Sequence, residues 1–149
     1  SLSQRLNEIS EVEVKEAQEG DILKNGVVYI APGGKHMRVV KKGTDYCIKL
    51  SDEPAIDGLR PCANVMYESL ENCQYDEITC VVLTGMGADG TKGIQGLAAH
   101  HKKLHVIAQD ADTCVVYGMP KAIAQTGLVD EVVPLGSVAE TITKNVGVS

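Results

Sequence analysis

The residues best suited to chemistry are grouped in one glycine-rich segment, Thr84-Gly-Met-Gly-Ala-Asp-Gly90. A mostly apolar run, Ile78–Leu83, precedes it, and such a run is typical of a strand buried on both faces of a sheet. Apolar residues at helical spacing follow, so the pattern is strand, glycine turn, helix. In open α/β sheets this turn lies at the carboxyl end of a strand, where ligands bind. The segment could therefore hold a phosphate group or present Asp89 for catalysis.

The phosphate interpretation depends on three glycines. Gly85, Gly87 and Gly90 match the G-x-G-x-x-G fingerprint of dinucleotide sites, and Asp110 stands near the place expected for the ribose-binding acid. The pyrophosphate would rest on the N-terminus of the following helix. Asp89 argues against this, because a carboxylate inside the cradle repels an anionic ligand. A dinucleotide-binding module that uses Gly85–Gly90 therefore stays open as a weaker alternative.

The catalytic interpretation starts from the conformational freedom of the same glycines. Glycine lets the backbone turn sharply, which would hold the Asp89 carboxylate at the edge of the sheet. Backbone N–H groups in such a turn can also face an oxyanion that develops during a reaction. A purely structural interpretation competes with this one, because an acidic residue at that place often caps the following helix.

The rest of the chain supplies the elements that would position this segment. Apolar runs between turn residues predict strands, and apolar residues three or four apart predict helices. The predicted strands are 12–16, 27–31, 37–41, 45–50, 78–83, 104–108 and 129–133, and the predicted helices are 1–9, 61–73, 94–101, 120–127 and 138–146. Leu2, Leu6 and Ile9 would form the apolar face of the first helix.

This alternation predicts an α/β fold made of parallel βαβ units. We expect a doubly wound, mostly parallel sheet with helices on both faces. The two strands around Lys42-Gly43-Thr44 would form an antiparallel hairpin annexed to it. At 149 residues the chain is predicted to be a single domain, 1–149.

Composition excludes several classes of function. The net charge of −6 disfavours a nucleic-acid surface, which needs clustered positive charge. The five cysteines contain no C-x-x-C pair, which disfavours a zinc ribbon or a disulfide framework and favours buried thiols. No segment reaches the roughly 20 apolar residues of a membrane span, and no signal-peptide pattern opens the sequence. We expect a cytoplasmic protein without membrane insertion, without a cofactor and without a metal site.

Several blocks resemble, in the same order, one known family, the chemotaxis protein-glutamate methylesterases (CheB). The glycine segment is similar to the aspartate loop of that family. The resemblance runs from about Ser1 to Val146 and so covers essentially the whole chain. The other blocks that carry it are Val28-Tyr-Ile-Ala-Pro-Gly-Gly-Lys-His-Met37, Leu59-Arg-Pro61, Ile107-Ala-Gln-Asp110 and Thr113-Cys-Val-Val-Tyr-Gly-Met-Pro-Lys121.

The resemblance implies hydrolysis of γ-glutamyl methyl esters on chemoreceptors, and deamidation of receptor glutamines, by a Ser-His-Asp triad. Asp89 would be the acid of the triad. The backbone N–H of Met86, in the turn with Gly85 and Gly87, would help to form the oxyanion hole. Arg60 could contact an acidic receptor surface, or could pair within its own loop. The implied partners are methyl-accepting chemotaxis receptors, and a receiver domain in the full-length protein is a further candidate.

The serine and the histidine of that triad have no match in this sequence. No serine occupies a glycine-flanked turn after an apolar strand, and the four histidines read as surface or helix-end residues. We therefore expect an incomplete catalytic domain that lacks its N-terminal strand-helix-strand unit. Alone it should be inactive, and prone to associate through exposed apolar surface. A non-catalytic, esterase-like interaction domain is the remaining alternative.

Overall fold

The computed structural model describes residues 1–101 and 103–147. Contacts within the chain group it into two compact units, Ser1–Cys73 and Gln74–Ser149. Each unit has its own strands and helices, and we describe each by itself. The assignment of 1–149 to a single domain stays a prediction.

The unit Ser1–Cys73 contains two small sheets and two helices. Strands β1 and β2 pair in parallel, and strands β3 and β4 form the antiparallel hairpin that the sequence predicts. Gly43 has a φ of 63°, in the left-handed region that favours glycine, so it suits the hairpin turn. The elements are α1 (Leu2–Ile9), β1 (Glu13–Glu16), β2 (Val27–Ile30), β3 (His36–Lys42), β4 (Asp45–Ser51) and α2 (Ala63–Ser69), followed by a 3-10 turn at Leu70–Asn72.

Helix α1 is present as predicted, but its buried face is not the predicted one. The Ser1 hydroxyl accepts a hydrogen bond from the Gln4 N–H and caps the helix. Leu2 and Ile9, assigned to the apolar face, are exposed, whereas Ser3 is buried. The reason is the contact with β1: the Asn7 side chain accepts from a β1 N–H at 2.8 Å. Ser3 lies four residues before Asn7, on the same side of the helix, and so turns inward with it.

The core of this unit lies where the hairpin meets α2 and the chain segments beside it. Ala17, Val39, Ile48 and Cys73 are buried together. The hydroxyl of Ser69, in α2, accepts a hydrogen bond from the Val39 N–H at 2.9 Å, which fastens the helix to β3. Burial of these apolar side chains and the paired backbone groups stabilise the unit.

The unit Gln74–Ser149 is a three-stranded parallel sheet with helical connections. The strand order is β5-β6-β7, so each helix that follows a strand returns the chain to the next parallel strand. The elements are β5 (Glu77–Val82), α3 (Thr91–His101), β6 (Lys103–Gln109), α4 (Met119–Ala124), β7 (Glu131–Val133), a 3-10 turn at Leu135–Ser137 and α5 (Val138–Val146).

The core of this unit is aliphatic, as a sequence without Phe or Trp requires. The central strand β6 contributes a continuous buried run, because both of its edges are paired. Cys80 in β5 is buried too, and burial raises the pKa of its thiol to about 11. The other buried members are Val82, Ile94, Leu97, Val106, Ile107, Ala108, Ile123 and Val138.

The predicted α/β fold class is confirmed: parallel strands are joined by helices, and the chain also contains a small antiparallel hairpin. Four of the five cysteines are buried and Cys114 is half-buried, with no disulfide within the described residues. Among the helices in those residues, none combines the length and the apolar character that crossing a bilayer requires.

One histidine is wrongly placed by the sequence interpretation. His36 is not a surface residue but is only 1% exposed, at the start of β3. Its Nε2 donates a hydrogen bond to the carbonyl oxygen of Pro54 at 2.9 Å. His36 Nδ1 is buried without a hydrogen-bond partner among the described residues, so only one ring nitrogen is satisfied. The linear sequence does not show that the Pro54 carbonyl lies within reach of the ring.

Candidate active site

The segment Thr84–Gly90 leaves the carboxyl end of β5 and leads into α3. Gly87 and Gly90 have φ values of 84° and 96°, in the left-handed region that favours glycine. Asp89 is half-buried and lies two residues before Thr91, the first residue of α3. The first turn of α3 contains no acidic residue. Asp89 therefore lies in the loop just before the helix.

A second segment, which runs from Val115 into α4, holds this loop in place. The Gly85 N–H donates to the Val116 carbonyl at 3.1 Å, and the Gly85 carbonyl accepts from Gly118 and Met119 at 3.1 and 2.8 Å. The Thr84 hydroxyl donates to the Val116 carbonyl at 3.1 Å and accepts from the Val116 N–H at 2.9 Å. The glycine loop is thus paired to a neighbouring backbone and is not a free turn.

The closeness of this pairing explains a glycine outside the motif. A Cβ on Gly118 would lie 2.7 Å from the carbonyl oxygen of Gly85 and 2.9 Å from the backbone nitrogen of Gly87. Both atoms are backbone atoms, so neither can rotate away. A Cβ on Gly85 would meet chiefly the Met119 sulfur, which belongs to a flexible side chain. The tight contact between the two segments depends most on Gly118.

A buried amide completes the support of the loop. Gln109, the last residue of β6, is 1% exposed. Its Oε1 accepts from the Thr84 N–H at 2.8 Å, and its Nε2 donates to the Thr113 carbonyl at 2.9 Å and to the Thr113 hydroxyl at 3.2 Å. The sequence interpretation passed over Gln109, because a polar residue at a strand end usually signals only the start of a loop.

The backbone N–H of Met86 is available to a ligand. Within the described part of the chain this N–H has no hydrogen-bond partner. The Met86 side chain is 85% exposed, and Val115 on the paired segment is 90% exposed. An unpaired backbone N–H is the kind of donor that an oxyanion site uses.

The acid that the dinucleotide interpretation needed has another role. Asp110 Oδ1 accepts from the Thr113 N–H at 3.0 Å and from the Thr113 hydroxyl at 2.6 Å, which closes the turn after β6. The N–H and the carbonyl of Gly85 are both hydrogen-bonded to the segment from Val115 to α4. The geometry therefore does not favour a dinucleotide in this loop.

A family model described as CheB methylesterase matches residues 1–142 of the chain. The chain belongs to the CheB methylesterase family. A protein-glutamate methylesterase/protein-glutamine glutaminase of Desulfotalea psychrophila is 43% identical over 98% of this chain, and one of Oceanobacillus iheyensis is 45% identical over 97%. The chain spans 40% and 41% of the length of these relatives.

A solved structure agrees with the assignment to the CheB family. The crystal structure of the Thermotoga maritima CheB methylesterase catalytic domain matches with a TM-score of 0.89 at 36% identity. The match covers 96% of this chain and 75% of that catalytic domain. The fold of a CheB catalytic domain is therefore present over nearly all of the chain.

Arg60, the candidate substrate-binding residue of this CheB chain, lies in the unit Ser1–Cys73. Its guanidinium donates to the carbonyls of Asp52 and Glu53 at 3.0 and 3.2 Å, so it pairs within its own loop. Lys35 forms an ion pair with the Asp52 carboxylate at 2.6 Å and, by that hydrogen bond, lowers the pKa of this carboxyl. A contact between Arg60 and a receptor stays a prediction.

The chain also contains a histidine-carboxylate pair that the sequence interpretation did not find. His105 Nε2 donates to Glu131 Oε2 at 2.6 Å, and the Asn145 amide donates to the same oxygen at 3.0 Å. These hydrogen bonds lower the pKa of Glu131, the one from His105 most strongly. Among the described residues, no group of three or more His, Cys, Asp or Glu side chains is arranged to hold a metal ion. The pair fastens β6 to β7 and α5.

Proposed function

We propose that this chain is the greater part of the catalytic domain of a protein-glutamate methylesterase that also deamidates protein glutamines. Its substrates are γ-glutamyl methyl esters and glutamines of methyl-accepting chemotaxis receptors. Asp89 is the acid of a Ser-His-Asp triad whose serine and histidine come from outside these 149 residues. By the same proposal the chain alone is inactive. A receiver domain as a partner and the expected cytoplasmic location stay predictions.

The observation that carries this proposal is the place of the Asp89 carboxylate. It is half-buried in a glycine loop at the carboxyl edge of a parallel sheet, three residues after an unpaired Met86 N–H. A carboxylate that orients a catalytic imidazole must be held in a fixed geometry, and partial burial in a constrained loop supports this for Asp89. Membership of the CheB family supports the assignment of the reaction.

The first half of the reaction forms an acyl-enzyme. The serine hydroxyl attacks the ester carbonyl carbon while the imidazole takes the hydroxyl proton. The Asp89 carboxylate holds the imidazole in the required tautomer and stabilises its protonated form. The carbonyl oxygen becomes an oxyanion, to which the Met86 N–H donates. The C–O bond of the ester then breaks, and the imidazolium gives its proton to the departing methoxide, which leaves as methanol.

The second half returns the enzyme to its starting state. A water molecule attacks the acyl carbon, and the imidazole takes one of its protons. The bond to the serine oxygen breaks, the serine regains its proton, and the product is a glutamate side chain. With a glutamine substrate the same steps release ammonia in place of methanol. The Met86 N–H serves both tetrahedral intermediates, so one fixed donor assists both halves.

The test uses the full-length protein and a methylated receptor, with methanol release as the readout. Asp89→Asn should lower kcat by about 10⁴-fold, because an amide favours the wrong tautomer of the histidine. Asp112→Asn is the matched control: this aspartate is exposed in the turn after β6 and should leave kcat unchanged. Wild-type turnover in the Asp89 variant would refute the assigned role. A full-length protein without a glycine-flanked serine would favour the interaction-domain alternative.

A further inference from the structure

We propose that Gln109 is a positioning residue of this active site, which rests on the function proposed above. Its buried amide fixes the Thr84–Gly90 loop against the turn after β6, and so fixes the places of the Asp89 carboxylate and the Met86 N–H. Gln109 touches no reacting atom in this proposal. It acts through the backbone that carries the two groups.

The orientation of the amide follows from its partners. The Thr84 N–H can only donate, so the amide atom 2.8 Å from it must be the oxygen. The Thr113 carbonyl can only accept, so the amide atom 2.9 Å from it must be the nitrogen. The three hydrogen bonds are satisfied together in one orientation of the side chain. An amide is required, because neither a carboxylate nor an alkyl group offers both an acceptor and a donor.

The same network reaches the carboxyl ends of all three strands of the sheet. Thr84 follows β5, and Gln109 ends β6. The Thr113 hydroxyl accepts from Nε2 of Gln109 at 3.2 Å and from the N–H of Leu135, which follows β7, at 3.0 Å. It donates its own hydrogen to Asp110 Oδ1 at 2.6 Å. One buried amide and one hydroxyl therefore set the spacing of the segments that follow β5, β6 and β7.

Loss of this amide should move the loop. The Thr84 N–H would lose its acceptor, the oxygen of the buried Gln109 amide, at a part-buried position. A polar group that loses its partner costs stability, and the loop would no longer be held to the end of β6. Catalytic groups tolerate very little displacement, and a shift of about 1 Å can cost about 10²-fold in rate. The rate of the reaction should therefore depend on a residue that the substrate never contacts.

The test compares Gln109→Met with wild type in the full-length protein. We expect kcat to fall about 10²-fold while KM stays within a small factor, because no substrate contact is removed. The acidic limb of the pH profile of kcat/KM should also move to lower pH. A less well placed Asp89 carboxylate stabilises the imidazolium less, so the pKa of the triad histidine falls. Gln95→Met, on the exposed side of α3, is the matched control and should change neither quantity.

A second pair of variants keeps the proposal testable if Gln109→Met does not fold. Thr113→Ser retains the hydroxyl and should keep the wild-type kcat and pH profile. Thr113→Val has the same shape without the hydroxyl. It should show the lower kcat, and the acidic limb of its kcat/KM pH profile should lie at lower pH. The role of Gln109 would be overturned if a folded Gln109→Met protein had the kcat and pH profile of wild type. It would also be overturned if folded Thr113→Val and Thr113→Ser proteins had equal kcat values and equal pH profiles. Failure of the wild type to release methanol, or full activity of Asp89→Asn, would instead overturn the proposed function.

Discussion

Asp89 and Asp110 each follow a buried strand, yet the structure uses the two carboxylates differently. Asp110 accepts two hydrogen bonds from Thr113 and closes a turn. Asp89 stands on a loop whose shape comes from left-handed glycines and from pairing with Val116 and Gly118. The residue types are the same, so the difference between a structural and a candidate catalytic acid lies in the partners that each backbone provides.

A prediction at the residue scale concerns Glu131 and the pH dependence of stability. The hydrogen bonds from His105 and Asn145 lower the pKa of Glu131 below its ordinary value of 4.5. A carboxyl with a lowered folded-state pKa stabilises the fold above its unfolded pKa, and the contribution is lost as pH falls through the folded value. Glu131→Gln should therefore flatten the loss of unfolding free energy below pH 4.5.

Urea unfolding at a series of acidic pH values measures this effect. The control is Glu140→Gln, on an exposed position of α5, which should keep the wild-type pH dependence. A Glu131 variant with the same acid dependence as wild type would show that the pair with His105 does not contribute to stability.

Single residues were the hardest part of the molecule to predict from sequence. Asp89 could be singled out as a candidate catalytic acid, because its glycine neighbours and the other family blocks are local patterns, and its role stays a prediction. Gln109 and His36 could not be placed, since their partners are distant in sequence: Thr84 lies 25 residues from Gln109, and Pro54 lies 18 residues from His36. A buried polar side chain is recognised by the groups that satisfy it, and the linear sequence does not show them.

Elements were more predictable, because their signals are local. The apolar runs of β5 and β6 and the glycine turn between β3 and β4 gave strands within a few residues of their observed bounds. Helix α1 shows the limit of this reasoning. Its residues predict that a helix forms. Which face of the helix is buried depends on the hydrogen bond from the Val14 N–H to the Asn7 side chain, and the spacing of apolar residues does not show this bond.

A prediction at the element scale concerns the pairing between the glycine loop and the segment before α4. Gly118→Ala should disrupt it, because the new Cβ would lie 2.7 Å from a backbone oxygen of Gly85. Overpacking of this kind costs about 1–3 kcal/mol of unfolding free energy. Since the loop must shift to relieve the contact, activity of the full-length protein should fall by more than stability alone explains.

Thermal unfolding and methanol release, measured side by side, test this expectation. The control is Gly136→Ala, where no heavy atom lies within 4 Å of the new Cβ. That variant should change stability by no more than about 0.5 kcal/mol. Wild-type stability and wild-type turnover in Gly118→Ala would mean that the two segments are not packed as described.

At the scale of the whole molecule, several exposed apolar side chains lie on the two segments that form the candidate site. Met86 and Val115 are almost fully exposed, and Val116 and Tyr117 beside them are partly exposed. Isolated apolar side chains are common on protein surfaces, but a group of them marks a surface that other protein groups cover. The family assignment could be made from sequence, whereas this grouping depends on which loops the fold brings together.

The corresponding prediction is that the 149-residue chain alone self-associates. Analytical ultracentrifugation over a range of concentrations should show a concentration-dependent rise in mass. The double variant Met86→Ser with Val115→Ser should reduce it, because both side chains are exposed in the apolar group. Leu2→Ser, which removes an exposed side chain in the other unit, should have no effect. A monomer at all concentrations with a sharp, high-temperature melt would contradict the prediction.

The pairing of Gly85 with Val116, Gly118 and Met119 has a consequence for protein engineering. If Thr84–Gly90 alone were transplanted onto another parallel sheet, the loop would lack the paired segment that determines its conformation. The transferable piece is discontinuous: the loop together with the stretch from Gln109 to Met119, which supplies the buried amide and the close backbone contact at Gly118. A graft of both stretches should reproduce the turn, and a graft of the first alone should not.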